Sequence, residues 1–301
     1  MLKQLCQSAI NELWLVAPFI KVATLQRLLD GVSPHVIIHC VTRWRPEEIA
    51  SGVSDIAVWD VLKGRGNSQL WLCPNLHAKY YRGDDHCLIG SANLTATALG
   101  WSSHPNLELL VDMNPQHPSL AGFESILLAT SIPVTDALYE QTKSLVDLIQ
   151  HEKIILLTSP DALIQPEEGG GYEAWIPHLR NPESLFLAYA DKRDNLTDAV
   201  YADAMSDLSA LNIPQGMSKP AFESYVGYAL SQMPIIRQID AFVGQPRRFG
   251  EMVAHLKRLP CADTPYFDTK SAWQTVMRWL LHFLPTHYRC WVDSRTEMFS
   301  K

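Results

Sequence analysis

Residues 75–101 read NLHAKYYRGDDHCLIGSANLTATALGW. His77 and Lys79 stand two apart, and Ser91 and Asn93 repeat that spacing. Side chains two apart on a strand share a face. LHAKYY (76–81) and HCLIGS (86–91) flank RGDD, whose Gly and Asp residues suit a hairpin turn. Folded as a hairpin, the two arms bring an imidazole, an ammonium, a hydroxyl and a carboxamide into one small pocket. Leu76, Ala78 and Tyr80 are expected on the opposite, buried face. NLELLVDM (106–113) adds a carboxylate. There Leu107, Leu109 and Val111 define an apolar face, and Asn106 and Glu108 point the other way. A carboxylate on an interior strand needs a partner. An imidazole N–H is one, and it would fix the tautomer of His77 and raise the basicity of its other ring nitrogen. Purely structural roles are also open: Ser91 as a small turn residue, Asn93 as a helix cap, and Glu108 as the partner of a structural Arg.

The order His77, Lys79, Asp84, Gly90, Ser91, Asn93 resembles the HKD motif of the phospholipase D superfamily, HxKxxxxDxxxxxxGSxN. The gap from Lys79 to Asp84 is kept. The gap from Asp84 to Gly90 is one residue short, at the expected turn, which leaves the role of Asp84 open. The continuation NLT…LGW…NLEL and the early run LWLVAPFI look like the bacterial phospholipase D-like nucleases, over roughly residues 10–115. The resemblance implies a catalytic set of His77, Lys79, Ser91, Asn93 and Glu108 that cleaves a phosphodiester through a phosphohistidine. A second His protonates the leaving oxygen and then activates water. Lys and Asn side chains hold the nonbridging oxygens, so no metal and no cofactor is implied.

Two histidines are needed and the chain has one motif. The resemblance therefore implies a twofold homodimer with one composite site. It also implies nucleic acid as substrate, DNA foremost, an endonuclease activity, a restriction or phage-defence setting, and a partner such as a motor ATPase. A phospholipase or phosphatidyl transferase and a non-catalytic scaffold are the alternative readings. Two further HxK sequences, HEK at 151–153 and HLK at 255–257, lack a following GSxN. They also fall on helix-like segments, where i and i+2 do not share a face.

An α/β fold is expected to position these groups, with a mixed sheet flanked by helices (phospholipase D-like) and a mostly α-helical C-terminal domain. Strands are expected at LWLVAPF (13–19), HVIIHCVT (35–42) and QLWLCP (69–74). Helices are expected over residues 2–12, over 23–31 with Gly31 as C-cap, from 45–53 with Pro46 in the first turn, over LTATALGW (94–101) ended by Gly100, and over 119–130. A Pro- and Gly-rich stretch at 159–177 reads as a linker. Beyond it, apolar residues recur at helical spacing. The expected division is a catalytic domain at 1–150 and a helical accessory domain at 151–301.

The chain has 301 residues, 47% hydrophobic and 19% charged, with a formal net charge of −7. Such a chain buries a core, and its acidity argues against a protein that only coats nucleic acid. The six cysteines include no CxxC pair. His39–Cys40 and His86–Cys87 place adjacent residues on opposite strand faces, which disfavours a shared metal. The run LWLVAPFI is too short for a signal peptide or a membrane span, so a cytoplasmic protein without membrane attachment is expected.

Overall fold

Alternating burial on β1 (Glu12–Val16) sets the architecture. In the computed structural model, which describes residues 1–120, 122–151, 174–263, 267–293 and 296–301, Leu13 and Leu15 point into one hydrophobic core. Trp14 and Val16 point into a second, on the other side of the sheet. A strand covered on both faces reads as a continuous apolar run, and LWLV does.

The chain divides into two compact units, Met1–His151 and Glu152–Lys301. The first carries a seven-stranded mixed sheet in the order β6-β5-β4-β1-β2-β3-β7. The strands are β1, β2 (Ile37–Thr42), β3 (Ser68–Leu72), β4 (Tyr80–Gly83), β5 (His86–Gly90), β6 (Leu110–Met113) and β7 (Ile132–Pro133). β1, β2 and β3 are parallel, and the others join antiparallel. Leu2, Leu5 and Cys6 of α1 (Leu2–Ser8), Leu25 and Leu28 of α2 (Val22–Leu29), and Ile49 of α3 (Pro46–Ala50) enter the first core. Leu62 of α4 (Val58–Lys63) and Val146 of α6 (Asp136–His151) join them. Leu127 of α5 (Phe123–Thr130) closes the second. Pro46 occupies the first turn of α3. Gly31, at φ 83°, follows the cap of α2 in the left-handed conformation that glycine adopts without strain.

Two expectations change. Leu94–Gly100 forms turns instead of a helix, because Leu94 is drawn into a bridge with Ile20 and Gly100 takes φ 71°. The second unit is helical, with α7 (Leu185–Tyr189), α8 (Asp198–Leu211), α9 (Lys219–Gln232), α10 (Pro234–Phe242), α11 (Phe249–Leu256) and α12 (Thr269–Phe283). It also holds a three-stranded sheet of β8 (Arg247–Arg248), β10 (Thr296–Ser300) and β9 (Arg289–Asp293), which the sequence reading did not foresee. Asp207, fully buried in this unit, accepts the backbone N–H groups of His178 and Leu179. Trp279, also fully buried, donates its indole N–H to the Leu179 carbonyl at 2.7 Å. The expected linker at 159–177 lies, up to residue 173, outside the described residues. Among the described residues no helix is long and apolar enough to cross a membrane.

Asp84 finds its role in the hairpin turn. Its φ is 47°, and its carboxylate accepts the backbone N–H of Ile10 at 2.6 Å and of Asn11 and Glu12 at 3.1 Å each. The turn is thereby clamped to the entry of β1. Partial burial works against the charge, but the backbone donors prevail and hold the carboxyl below its ordinary range. A depressed folded value means the stabilisation is complete above the unfolded value of about 3.9 and is lost as pH falls through the folded one. Asp84→Asn should therefore destabilise the protein by about 1–2 kcal/mol at pH 7. In denaturation midpoints measured between pH 7 and pH 2, that gap should begin to narrow below about pH 4 and close as pH falls through the folded value. A gap independent of pH would refute the clamp.

Candidate active site

The pairing of β4 with β5 decides what can meet at one edge of the sheet. Tyr80 stands opposite Ile89, and one step further the Gly90 N–H donates to the Lys79 carbonyl at 3.3 Å. The HxK arm and the start of GSxN are therefore neighbours. They lie at the end where the parallel strands β1 and β2 finish, the usual place for a site in sheets of this kind.

β4 begins at Tyr80, so His77 and Lys79 sit on an extended lead-in and not within the strand as expected. The cause is visible on the opposite arm. Ser91 to Asn93, which would have continued the ladder, turn away to other partners. Leu76 is buried and anchors the lead-in, His77 is exposed, and Ala78 is exposed instead of buried. The Lys79 ammonium donates to the His77 carbonyl at 2.8 Å, which keeps the cation folded beside the imidazole-bearing residue.

Each residue of the GSAN arm is held. Gly90 lies so close to the next strand that a Cβ there would come within 1.9 Å of the Leu109 carbonyl oxygen. The Ser91 N–H donates to that same carbonyl at 2.9 Å, and its Oγ accepts the Leu109 N–H at 3.0 Å. The buried Tyr81 hydroxyl donates to the Ala92 carbonyl at 2.6 Å. Burial pushes this phenol well above its ordinary range, so it remains a neutral donor. Asn93 Oδ1 accepts the Phe19 N–H at 3.4 Å, which turns the donor end of its amide away from Phe19. Asn93 is thus not a helix cap, and Ser91 is more than a small turn residue.

Glu108 precedes β6 and is partly buried. Ser91 Oγ donates to one of its oxygens, and Asn106 Nδ2 donates to the other at 3.2 Å. These hydrogen bonds tie Glu108 to the GSxN arm. The apolar face expected beneath it is open. Leu107 is fully exposed, Leu109 is 65% exposed and Val111 43%. β6 is an edge strand, so the alternation of LELLV marks a face without covering it. Tyr81 and Asn106 are the supporting residues that motif spacing did not single out. Tyr81 lies beside the motif without being part of its spacing, although a buried phenol usually requires a hydrogen-bond partner.

The histidines of both other HxK sequences lie on helices, α6 and α11. His151 closes α6, and residues 152 and 153 lie outside the described residues. His255 stacks on Phe242 at 4.0 Å, with its Nε2 buried and without a hydrogen-bond partner among the described residues. His39 stacks on Trp14 at 4.4 Å while Cys40 enters the opposite core, so that pair divides across the sheet as strand geometry requires. All six cysteines are free thiols.

No family model matches the chain, and no curated protein matches it. Solved structures similar to it include NucT from Helicobacter pylori, with 15% identity and a TM-score of 0.36, over 44% of this chain and 88% of that one. Phosphatidylserine synthase from Haemophilus influenzae Rd KW20 aligns with 13% identity and a TM-score of 0.38, over 51% of this chain and 41% of that one. TrmBL2, an archaeal chromatin protein whose structure shows a novel mode of DNA binding, aligns with 18% identity and a TM-score of 0.31, over 44% and 49%.

Any side chain at residue 90 must push Leu109 away and break both Ser91 backbone contacts. Gly90→Ala should cost about 3 kcal/mol or more in chemical denaturation, well above the cost of an ordinary surface change. Wild-type stability in this variant would contradict the packing described.

Proposed function

We propose that the first unit is a metal-independent phosphodiesterase, an endonuclease acting on DNA, whose site is completed by a second copy of the chain. The observation that carries this reading is the Gly90–Lys79 backbone contact. It places HxK and GSxN on neighbouring segments in the order that resembles the phospholipase D motif. His77 is the nucleophile: a ring nitrogen attacks phosphorus, the P–N bond forms and the P–O bond to the leaving group breaks. Lys79 and the amide of Asn93 hold the nonbridging oxygens as negative charge grows on them. Ser91 and Glu108 fix the arm that carries Asn93.

An imidazole bonded to phosphorus cannot also protonate the leaving oxygen. A second His77 across a twofold axis supplies that proton, then takes one from the water that hydrolyses the phosphohistidine. The exposed row of Leu107, Leu109 and Val111, which flanks Glu108 and runs into the edge strand β6, favours burial against that second copy. The second unit serves as an accessory domain for nucleic acid or a partner such as a motor ATPase, and a defence role fits an endonuclease of this kind.

Supercoiled plasmid, single-stranded DNA, RNA and phospholipid vesicles should be offered to the purified protein in EDTA, on size-separated fractions. DNA cleavage is expected in the dimer fraction, with loss by about a thousandfold or more in His77→Ala. Leu109→Arg should elute as an inactive monomer. Cleavage that needs Mg²⁺, or a fully active monomer, would overturn the reading. Hydrolysis of lipid alone would move it to a phospholipase.

A further inference from the structure

β2 ends at Thr42, and the next residue, Arg43, is 5% exposed. Its partner Glu48 is also buried. Arg43 Nε donates to Glu48 Oε2 at 3.1 Å, and NH2 donates to Oε1. The remaining nitrogen, NH1, donates to the carbonyl of Leu76 at 3.3 Å, one residue before His77. The guanidinium also lies over the Phe19 ring, 5.1 Å from its centre. Phe19 is the residue whose N–H fixes Asn93 and whose carbonyl accepts the Leu94 N–H. One buried side chain therefore bonds the backbone of the HxK lead-in and packs on the ring of Phe19, whose own backbone holds Asn93 and Leu94 of the other arm.

Stability alone is a poor reason for such a pair. Removing two charges from water costs about what their attraction returns, and apolar replacements of similar volume are often neutral or stabilising. The geometry is what apolar residues would not reproduce. Residues 76–79 lie outside the named strands, and the Leu76 carbonyl takes the Arg43 NH1 group as a donor. Only a planar fork grips a carboxylate with two nitrogens while a third reaches elsewhere; a lysine ammonium does not.

We infer that Arg43, locked by Glu48, is a positioning residue that sets His77 against Asn93. This inference rests on the proposed function for its catalytic consequence but not for its geometric one. No feature of the sequence near TRWRPEE marks it: Arg43 and Glu48 are five apart, off the spacing of a helical ion pair.

The test uses the full chain as wild type, as Arg43→Lys, and as the double variant Arg43→Met with Glu48→Leu. The double variant removes both charges of the Arg43–Glu48 pair, and the lysine variant keeps a cation opposite Glu48. With bis(p-nitrophenyl) phosphate in EDTA, kcat should fall about a hundredfold in the double variant, as for a reacting group displaced by about an ångström. Arg43→Lys should fall between it and the wild type. KM should stay within about threefold and the melting temperature should hold, which a merely structural role would not produce. A folded double variant with wild-type kcat overturns the inference.

A second readout is independent of turnover. In protein labelled at histidine, the His77 ring signal, assigned with His77→Ala, should shift and titrate differently in both Arg43 variants. The His255 and His39 signals should not move. A His77 signal that superimposes on the wild type overturns the inference whether or not the diester is cleaved. Absence of cleavage by the wild type would count against the proposed function, with the histidine signal still deciding the role of Arg43.

Discussion

The register between β4 and β5 is the constraint on which the rest of the first unit depends. With Tyr80 opposite Ile89, Lys79 must face Gly90, and the polar pairs on either arm must share one sheet edge. A slip of one residue would send every side chain to the other face, moving Tyr81 and Leu88 out of the first core and Tyr80 and Cys87 out of the second. Register in a hairpin is set at its turn. Here the turn is fixed from outside by Asp84, whose carboxylate ties it to the first residues of β1. At the opposite end Gly90 admits the Leu109 backbone, which fixes β6 against the same hairpin. The Asp and Gly of the motif thus act at the two ends of one device, remote from each other and both essential to its alignment.

Where the ladder stops, each backbone group must find another partner, and the sheet edge is organised around that need. Tyr81 holds Ala92, Phe19 holds Asn93, Arg43 holds Leu76, and Ser91 bonds twice to Leu109. These polar contacts hold the sheet edge in place while His77 stays exposed.

The parts of the fold written in local chemistry were legible. LWLV announced a strand covered on both faces, Pro46 a helix start, Gly31 a helix end, and RGDD a hairpin turn. Segments that depend on distant partners were not. LTATALG has the apolar spacing of a helix, but Leu94 is claimed by Ile20. Arg289–Asp293 and Thr296–Ser300 are short, and their pairing reaches Arg247–Arg248, far off in sequence. Alternation in LELLV gave the right facing for Glu108 but could not tell a covered face from an open edge. The site divides in the same way. His77, Lys79, Ser91 and Asn93 stand at motif spacing, whereas Tyr81 and Arg43 act across the fold and carry no local signature.

The covalent step on His77 is the centre of the proposed chemistry, and it has a direct signature. A phosphorus–nitrogen bond to imidazole survives alkali and is lost in acid. Wild-type protein mixed with DNA, quenched in alkali during turnover and digested should carry a phosphate-linked nucleotide on the peptide containing His77, removed by acid and missing from His77→Ala. Turnover that proceeds with that peptide unmodified, or with the label on another residue, would contradict the role assigned to His77.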